Sequence, residues 1–321
     1  MQSGATVTKT PSSPTVPVPL TSATVHRAQP KSRYFQCRGH RLAYSEFGSS
    51  SGTPVLYFHD SGSSRLEAGF FDVAARQHGF RLIAVDRPGI GGSDYYLTAS
   101  PADFCADALS LAAHLGIHRF GVMSLGAGGI FALTLAHQHP GRVNFKLSLA
   151  GVPGSVFNEA SANSYAASCW NEVTPLLIRL LVRVKHQFFP DNPARSLERM
   201  ENYLSYTDRK VLRDPQVFKA LARDQKEAFR HGYRGVAQDL AVCFRKLDFR
   251  LQDVTVPTII WQGEADRLSQ RADCEYMVAR MPDVRYHRVP NRGHFFFIHK
   301  IDQVFDGLRH SMSRHSLNQV A

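Results

Sequence analysis

Two ionisable residues in this chain stand where a proton could be moved at neutral pH. Asp266 closes the segment Val256-Pro-Thr-Ile-Ile-Trp-Gln-Gly-Glu-Ala-Asp266, and His294 closes Val284-Arg-Tyr-His-Arg-Val-Pro-Asn-Arg-Gly-His294. Each segment reads as a buried strand that delivers its ionisable residue at the C-terminal end. Histidine changes charge near neutrality, and a carboxylate beside it fixes the tautomer and stabilises the imidazolium. A third segment, Arg119-Phe-Gly-Val-Met-Ser-Leu-Gly-Ala-Gly-Gly-Ile-Phe-Ala-Leu-Thr-Leu-Ala136, reads as a strand, a turn of small residues and an amphipathic helix. Such a turn lifts its apex residue above the edge of a sheet, where a nucleophile would sit. Small residues are needed two positions before and after the apex, because a Cβ there presses on neighbouring backbone. The register Ser124-Leu125-Gly126-Ala127-Gly128 meets that need and puts Gly126 at the apex. Centring on Ser124 puts β-branched Val122 two positions before it, so Ser124 would have to act from a distorted turn or from the strand below.

These groups need elements to hold them. From Tyr34 onward the chain alternates between two periodicities, with strands near 40–47, 54–59, 81–86, 119–125, 144–150, 257–262 and 284–289. Helices fall near 66–78, 101–115, 127–139, 269–281 and 301–313. That alternation implies an α/β fold, a mostly parallel sheet with helices on both faces. It stops between about 153 and 250, where only helical patterning remains, in a helical insertion after the sixth strand. Within it, Pro175-Leu-Leu-Ile-Arg-Leu-Leu-Val-Arg-Val184 reads as an amphipathic helix packed on the core, with a pocket lining or a membrane-surface helix as the lesser reading. Two further strands run into polar turns, Thr53-Pro-Val-Leu-Tyr-Phe-His-Asp-Ser-Gly-Ser-Ser-Arg65 and Arg81-Leu-Ile-Ala-Val-Asp-Arg-Pro-Gly-Ile-Gly-Gly-Ser-Asp94.

Taken in order, these segments resemble the α/β-hydrolase superfamily, in particular its capped esterase-, lipase- and epoxide-hydrolase-like members with an oxyanion loop of the type His-Gly-Thr-Pro-Gly-Ser-Arg. The resemblance spans about residues 34 to 310. It implies Asp266 as catalytic acid, His294 as catalytic histidine and Gly126 at the nucleophile position. It implies oxyanion donors from the backbone N–H of Ala127 and from the Asp60–Ser61 stretch. Two departures stand out: Gly126 replaces the family serine, and Asp60 replaces the glycine after the loop histidine. An ionised Asp60 would oppose an oxyanion beside it. Composition sets off a tail (1–32), and the resemblance implies an α/β-hydrolase core (33–152 and 251–321) and a helical cap (153–250).

Composition bounds the function. The 321 residues are 43% hydrophobic and 20% charged, enough apolar content for a full core. No apolar run approaches the ~18 residues of a transmembrane helix, which argues against stable membrane insertion. The net charge of +11 is concentrated early, with Lys9, Arg27, Lys31, Arg33, Arg38 and Arg41 all preceding the first acid, Glu46. No nucleic-acid module accompanies it, so nucleic acid is not an expected partner. Cys37, Cys105, Cys169, Cys243 and Cys274 are odd in number and scattered, which points to reduced thiols in a cytoplasmic protein. They show no metal-ligand spacing, and neither a metal nor an organic cofactor is implied. The Ser-, Thr- and Pro-rich tail is expected to be disordered, with organellar targeting as the lesser reading.

Three functions fit these residues. The preferred one is an enzyme using His294 and Asp266 as an acid/base pair without a family-type serine, on a small to medium, mainly apolar carbonyl or ester compound. Lyase, isomerase, cyclase or water-activating chemistry would all suit that arrangement. The second is a serine hydrolase (esterase, lipase or thioesterase) acting through Ser124. The third is a catalytically inactive protein that keeps the pocket for ligand binding. Ser61, with Ser63 and Ser64, is read as a loop residue hydrogen-bonding its own backbone.

Overall fold

The computed structural model describes residues 6–7, 31–98, 100–151, 177, 180, 193–243, 245, 247–269 and 271–318. Among the described residues, nine strands form one sheet: β1 (Thr6–Val7), β2 (Arg33–Cys37), β3 (His40–Gly48), β4 (Thr53–Phe58), β5 (Phe80–Val85), β6 (Phe120–Leu125), β7 (Val143–Leu149), β8 (Thr258–Gly263) and β9 (Val284–Val289). Their order across the sheet is β1-β9-β8-β7-β6-β4-β5-β3-β2. Every neighbouring pair is parallel except β2–β3 and β3–β5. The strands at the centre read as continuous apolar runs because both faces are covered, and all six residues of β6 are buried.

Helices α1 (Asp72–Gln77), α2 (Pro101–His114) and α3 (Gly129–Gln138) connect the first half of the sheet. One buried cluster packs α2 and α3 onto one face through Phe104, Leu111, Phe131 and Leu135; another covers the opposite face with Phe71, Phe297 and Phe305. Local chemistry sets the helix ends. Ser100 and Asp103 form a capping box on α2, with Pro101 in its first turn, where a missing N–H costs nothing.

The described part of the insertion is helical: α4 (Pro193–Met200), α5 (Tyr206–Leu212), α6 (Pro215–Ala228) and α7 (Tyr233–Cys243). Helices α8 (Arg271–Val278) and α9 (Phe297–Asn318) complete the chain. The segment 175–184 lies outside the described residues apart from 177 and 180, and Cys169 lies outside them too. The other four cysteines are free and buried.

Two expectations need correction. The strands read from sequence number only five before the insertion; the missing one is β2, whose outer edge is solvent-facing and therefore lacks a clean apolar pattern. Counted from β2, the insertion does follow the sixth strand. The tail is also not free of the core. Thr6–Val7 pairs in parallel with Arg285–Tyr286 on the open edge of β9, an edge that offers unpaired backbone groups to any extended segment. At its other end, Ser32 Oγ accepts a hydrogen bond from Arg65 at 2.6 Å. Three of the early basic residues belong to the core as well: Arg33 pairs with Glu46, Arg38 with Asp107 and Arg41 with Asp94.

The order of the strands decides where chemistry can occur. After β4 the chain goes to one side for β5 and then crosses to the other for β6. The loops leaving β4 and β6 therefore diverge at a topological switch point and leave a crevice between them. The insertion is tied over that crevice by a buried ion pair. Arg87 Nη2 lies 2.8 Å from Asp239 Oδ2 of α7, with both side chains almost wholly buried. Removing one partner strands the other's charge in the interior. Asp239→Ala should therefore lower folding stability by about 3–5 kcal/mol, read as a shifted urea midpoint at unchanged slope. A loss under about 1 kcal/mol would mean that Arg87 is solvated without its partner.

Candidate functional site

Register brings the site together. Phe58 of β4 pairs with Ser124 of β6, so the residues two further on, Asp60 and Gly126, face each other across the crevice. Gly126 has φ +49, a left-handed conformation that glycine adopts without strain, and it opens the turn into α3. Three close approaches explain the small residues around it. A Cβ on Gly128 would strike the carbonyls of Phe58 and His59, and one on Gly151 would strike the backbone of Gly126. A Cβ on Gly126 itself would strike the carboxyl group of Asp60. The space a side chain at the apex would need is filled by Asp60.

The carboxylate is held there by the elbow. Asp60 Oδ1 accepts hydrogen bonds from the N–H of Ala127 and the N–H of Ser61, both at 2.7 Å. These are the two stretches expected to supply oxyanion donors, so Asp60 does not stand beside an empty anion site; its own oxygen occupies it. Its backbone is fixed too. The Asp60 N–H donates to Glu67 Oε2 at 2.9 Å, and its carbonyl accepts from His59 Nδ1 at 2.7 Å and from Arg87 Nη2 at 3.2 Å.

His294 lies on the other side of that carboxylate. Its Nδ1 is 3.0 Å from Asp266 Oδ2, and its Nε2 is 3.5 Å from Asp60 Oδ2. The Asp266 side chain is fully buried and oriented by the N–H groups of Leu268 and Ser269, at 2.8 and 3.1 Å. The backbone around His294 is clamped from the insertion, where Asp208 of α5 accepts from the N–H of His294 at 2.9 Å and of Phe295 at 2.8 Å. An acid at the start of a helical turn satisfies donors that have no partner within the turn.

Electrostatics make this a linear charge array. Burial pulls the His294 pKa down, but the charge and hydrogen bond of Asp266, joined by those of Asp60, raise it well above its ordinary 6.5. Burial likewise opposes ionisation of Asp60, yet His294 and the Ala127 and Ser61 amides hold its pKa below the ordinary 3.8. Both shifts favour the charged pair, a protonated His294 ring facing an ionised Asp60. Glu67 behaves differently: burial first, then the charges of Asp224 and Asp60, push it up to about 8.

Ser124 is placed on β6, wholly buried, and its Oγ has no hydrogen-bond partner among the described residues. The structure brings it to neither His294 nor Asp60. Ser61 Oγ is also buried without a partner among the described residues, contrary to the expectation that it bonds its own backbone. Ser64 does meet that expectation, accepting from Leu66 N–H at 3.2 Å, and its own N–H donates to Asp224 of α6 at 3.0 Å. Asp208, Asp224, Glu67 and Asp239 were not picked out from the sequence. Each belongs to an ordinary helical pattern, and nothing local marks its long-range partner.

The crevice opens into a cavity of about 100 Å³ lined by Asp60, Ser61, Glu67, His294, Phe295 and Phe297 from the core side. Leu197, Met200, Leu221 and Asp224 close it from the insertion. One other cluster among the described residues has metal-ligand types, Cys37, His40 and Asp107. Its carboxylate is already engaged by Arg38 and Tyr96, and burial, followed by Asp107 itself, raises the Cys37 thiol pKa. It is a structural hydrogen-bond node outside the cavity.

This fold and this crevice define a class. The sequence profile described as "Alpha/beta hydrolase family" matches residues 51–306, and the chain belongs to that family. Among curated relatives, it is 34% identical over 106 residues to the uncharacterized hydrolase YcgS of Bacillus subtilis (strain 168), covering 33% of this chain and 36% of that one. It is 31% identical over 125 residues to a probable proline iminopeptidase of Streptomyces coelicolor, covering 36% and 37%. The chain thus spans a little over a third of the length of these relatives. Among solved structures, an esterase (EaEST) from Exiguobacterium antarcticum superposes with a TM-score of 0.67 at 18% identity, covering 87% of this chain and 98% of that one. A structure from the carboxylesterase study of Nitrososphaera gargenis gives 0.67 at 16% identity, covering 89% and 100%. No described helix is long and apolar enough to cross a membrane.

Two outcomes follow from the array. His294 carries a raised pKa, so its contribution to stability is full below 6.5 and is lost as pH rises through its raised value. Asp60 carries a lowered pKa, so its contribution is full above 3.8 and is lost as pH falls through its lowered value. Asp60→Asn should therefore destabilise most between those two pH values, with the difference from wild type shrinking in strong acid and in alkali; a pH-independent difference in urea midpoint would contradict the ion pair. The second outcome concerns Gly126. Gly126→Ser alone should displace Asp60 and give no ester hydrolysis, whereas Gly126→Ser combined with Asp60→Gly should be labelled by a fluorophosphonate on the introduced hydroxyl. Equal labelling of both variants would show that the elbow is not filled.

Proposed function

We propose that this chain is a hydrolase that activates water rather than a serine, with His294 and Asp266 moving the proton. Its substrate is a small to medium, mainly apolar molecule carrying a carbonyl or ester, enclosed beneath residues 193–243 acting as a cap. One observation carries the reading: the apex of the elbow is glycine, and the space above it is occupied by Asp60. Family membership supports hydrolysis over the lyase, isomerase and cyclase chemistry that the residues alone would also suit. The aliphatic and aromatic cavity wall supports an apolar substrate body. The scattered free thiols support a reducing, cytoplasmic setting.

The relatives support a second reading at least as well, a serine hydrolase working through Ser124. Their names include an esterase and a hydrolase, and Ser124 is the hydroxyl nearest the apex in sequence. For this reading to hold, the end of β6 must unwind enough to bring a buried Oγ out to His294.

A panel of p-nitrophenyl esters separates the two. Water activation predicts that Ser124→Ala leaves kcat/KM within about twofold, while His294→Ala lowers it by roughly 10²–10⁴-fold. If Ser124→Ala removes activity and the wild-type protein is labelled by a fluorophosphonate at Ser124, the serine reading is correct. Unchanged turnover in His294→Ala would remove both.

A further inference from the structure

The outer face of the insertion carries a charge pattern that the cavity does not use. We propose that the outer stripes of α5 and α6 form a docking surface for a bilayer rich in anionic phospholipid, on which the protein adsorbs without inserting. The inference goes beyond the hydrolase reading and does not depend on it.

Helix α6 shows the pattern most plainly. Val217, Leu221, Asp224 and Ala228 are buried, and their spacing puts them on one face. Lys219, Arg223, Lys226 and Arg230 repeat that spacing on the opposite face, the last just beyond the helix end. Lys219, Lys226 and Arg230 are exposed, and Arg223 is half-buried. At the rise of an α-helix this row of cations is about 16 Å long. Arg230 pairs with Glu227 at 3.2 Å, whereas Lys219, Arg223 and Lys226 have no ion-pair partner among the described residues. On α5 the outer stripe is mixed. Tyr206, Lys210 and Arg213 are exposed at helical spacing, Tyr203 stands one turn before them, and Asp208, Val211 and Leu212 face inward. Lys210 Nζ lies 4.7 Å from the centre of the Tyr206 ring.

The acids of this stretch explain why the face stays positive. Between residues 205 and 234, Asp208 is turned onto the His294 backbone, Asp224 onto Ser64 and Glu227 onto Arg65, while Asp214 caps α6. All four are buried or half-buried. The contacts that hold the insertion down thus draw its negative charge inward and leave its positive charge outside. The early basic residues Arg33, Arg38 and Arg41 differ, since each faces an acid.

Shape and composition choose the partner. A peptide is bound in a groove or along a sheet edge, and the outer stripe of a helix is neither. Such a ridge meets a plane of headgroups instead. Tyr203 and Tyr206 are 70% and 62% exposed, and amphipathic rings of this kind settle at the headgroup level of a membrane. Because the apolar face of α6 is buried in the protein, charge supplies the main attraction, which makes adsorption reversible and dependent on salt. The inner face of the same helix lines the cavity with Leu221 and Asp224, so adsorption brings the cavity within one helix diameter, about 10 Å, of the bilayer.

Co-sedimentation of the intact protein with lipid vesicles tests this. The protein should pellet with vesicles of phosphatidylcholine mixed with phosphatidylserine and stay in solution with phosphatidylcholine alone. It should be released at about 1 M salt, where the screening length falls to about 3 Å. Each basic residue at the surface strengthens binding about fivefold, so Lys219→Gln/Lys226→Gln should lower the partition coefficient about 30-fold. Arg119→Gln/Arg280→Gln removes the same charge at the opposite edge of the sheet, where β6 and β9 begin, and should change it less than about threefold. Both variants keep the residues before Tyr34, so attraction by the tail cancels in the comparison. No binding to the mixed vesicles, equal binding to both vesicle types, equal loss in the two variants or binding that survives salt would overturn the inference. So would tighter binding to a DNA duplex or to polyglutamate under the same conditions, since either would assign the face to another polyanion.

Discussion

A carboxyl group and a nucleophile side chain cannot share the space above the elbow, and this chain has given that space to the carboxyl group. The constraint comes from strand register. Because Phe58 pairs with Ser124, Asp60 and Gly126 are forced into contact, and only a residue without Cβ lets the Asp60 carboxylate reach the Ala127 amide. The two departures from the family pattern are therefore one substitution in space. Once the carboxylate sits in that position, His294 lies between two anions, and its proton is held rather than shared with a hydroxyl.

The insertion is bound to this array through acids reaching down from three helices. Asp208 on α5 holds the His294 turn, Asp224 on α6 holds the loop after Asp60, and Asp239 on α7 holds Arg87, which in turn grips the His59 and Asp60 carbonyls. Each contact satisfies a backbone donor or a buried cation that would otherwise cost stability. The same contacts fix the positions of the two groups that face each other across the cavity. Enclosure of the substrate and orientation of the reacting groups are therefore one set of interactions, and a change in the insertion is transmitted to the Asp60 loop directly.

Much of this was legible in the chain. The buried strands announce themselves as apolar runs, and the Gly-His pair and the Gly-Glu-Ala-Asp segment mark His294 and Asp266 because each follows such a run. The small-residue pattern pointed to an apex at Gly126, and the backbone there is left-handed. What could not be read was anything set by strand order. Asp60 was seen as a charge that would disturb an oxyanion; only the pairing of β4 with β6 shows that its oxygen fills the anion site itself. The edge strand Arg33–Cys37 and the Thr6–Val7 pairing were missed for a related reason, since edge strands lack the two-sided burial that gives central strands their pattern. The acids of the insertion sit on amphipathic helices like any other surface acids, and their partners lie 86 to 160 residues away along the chain.

The central claim is that Asp60 and Asp266 together hold His294 in its charged form. The most direct measurement is an NMR titration of the ring nitrogens of His294 in the wild-type protein and in Asp60→Asn. The account predicts that both nitrogens carry protons at neutral pH in wild type, and that the titration midpoint moves to lower pH when Asp60 loses its charge. A neutral ring at neutral pH in the wild type, or a midpoint that ignores the substitution, would contradict it.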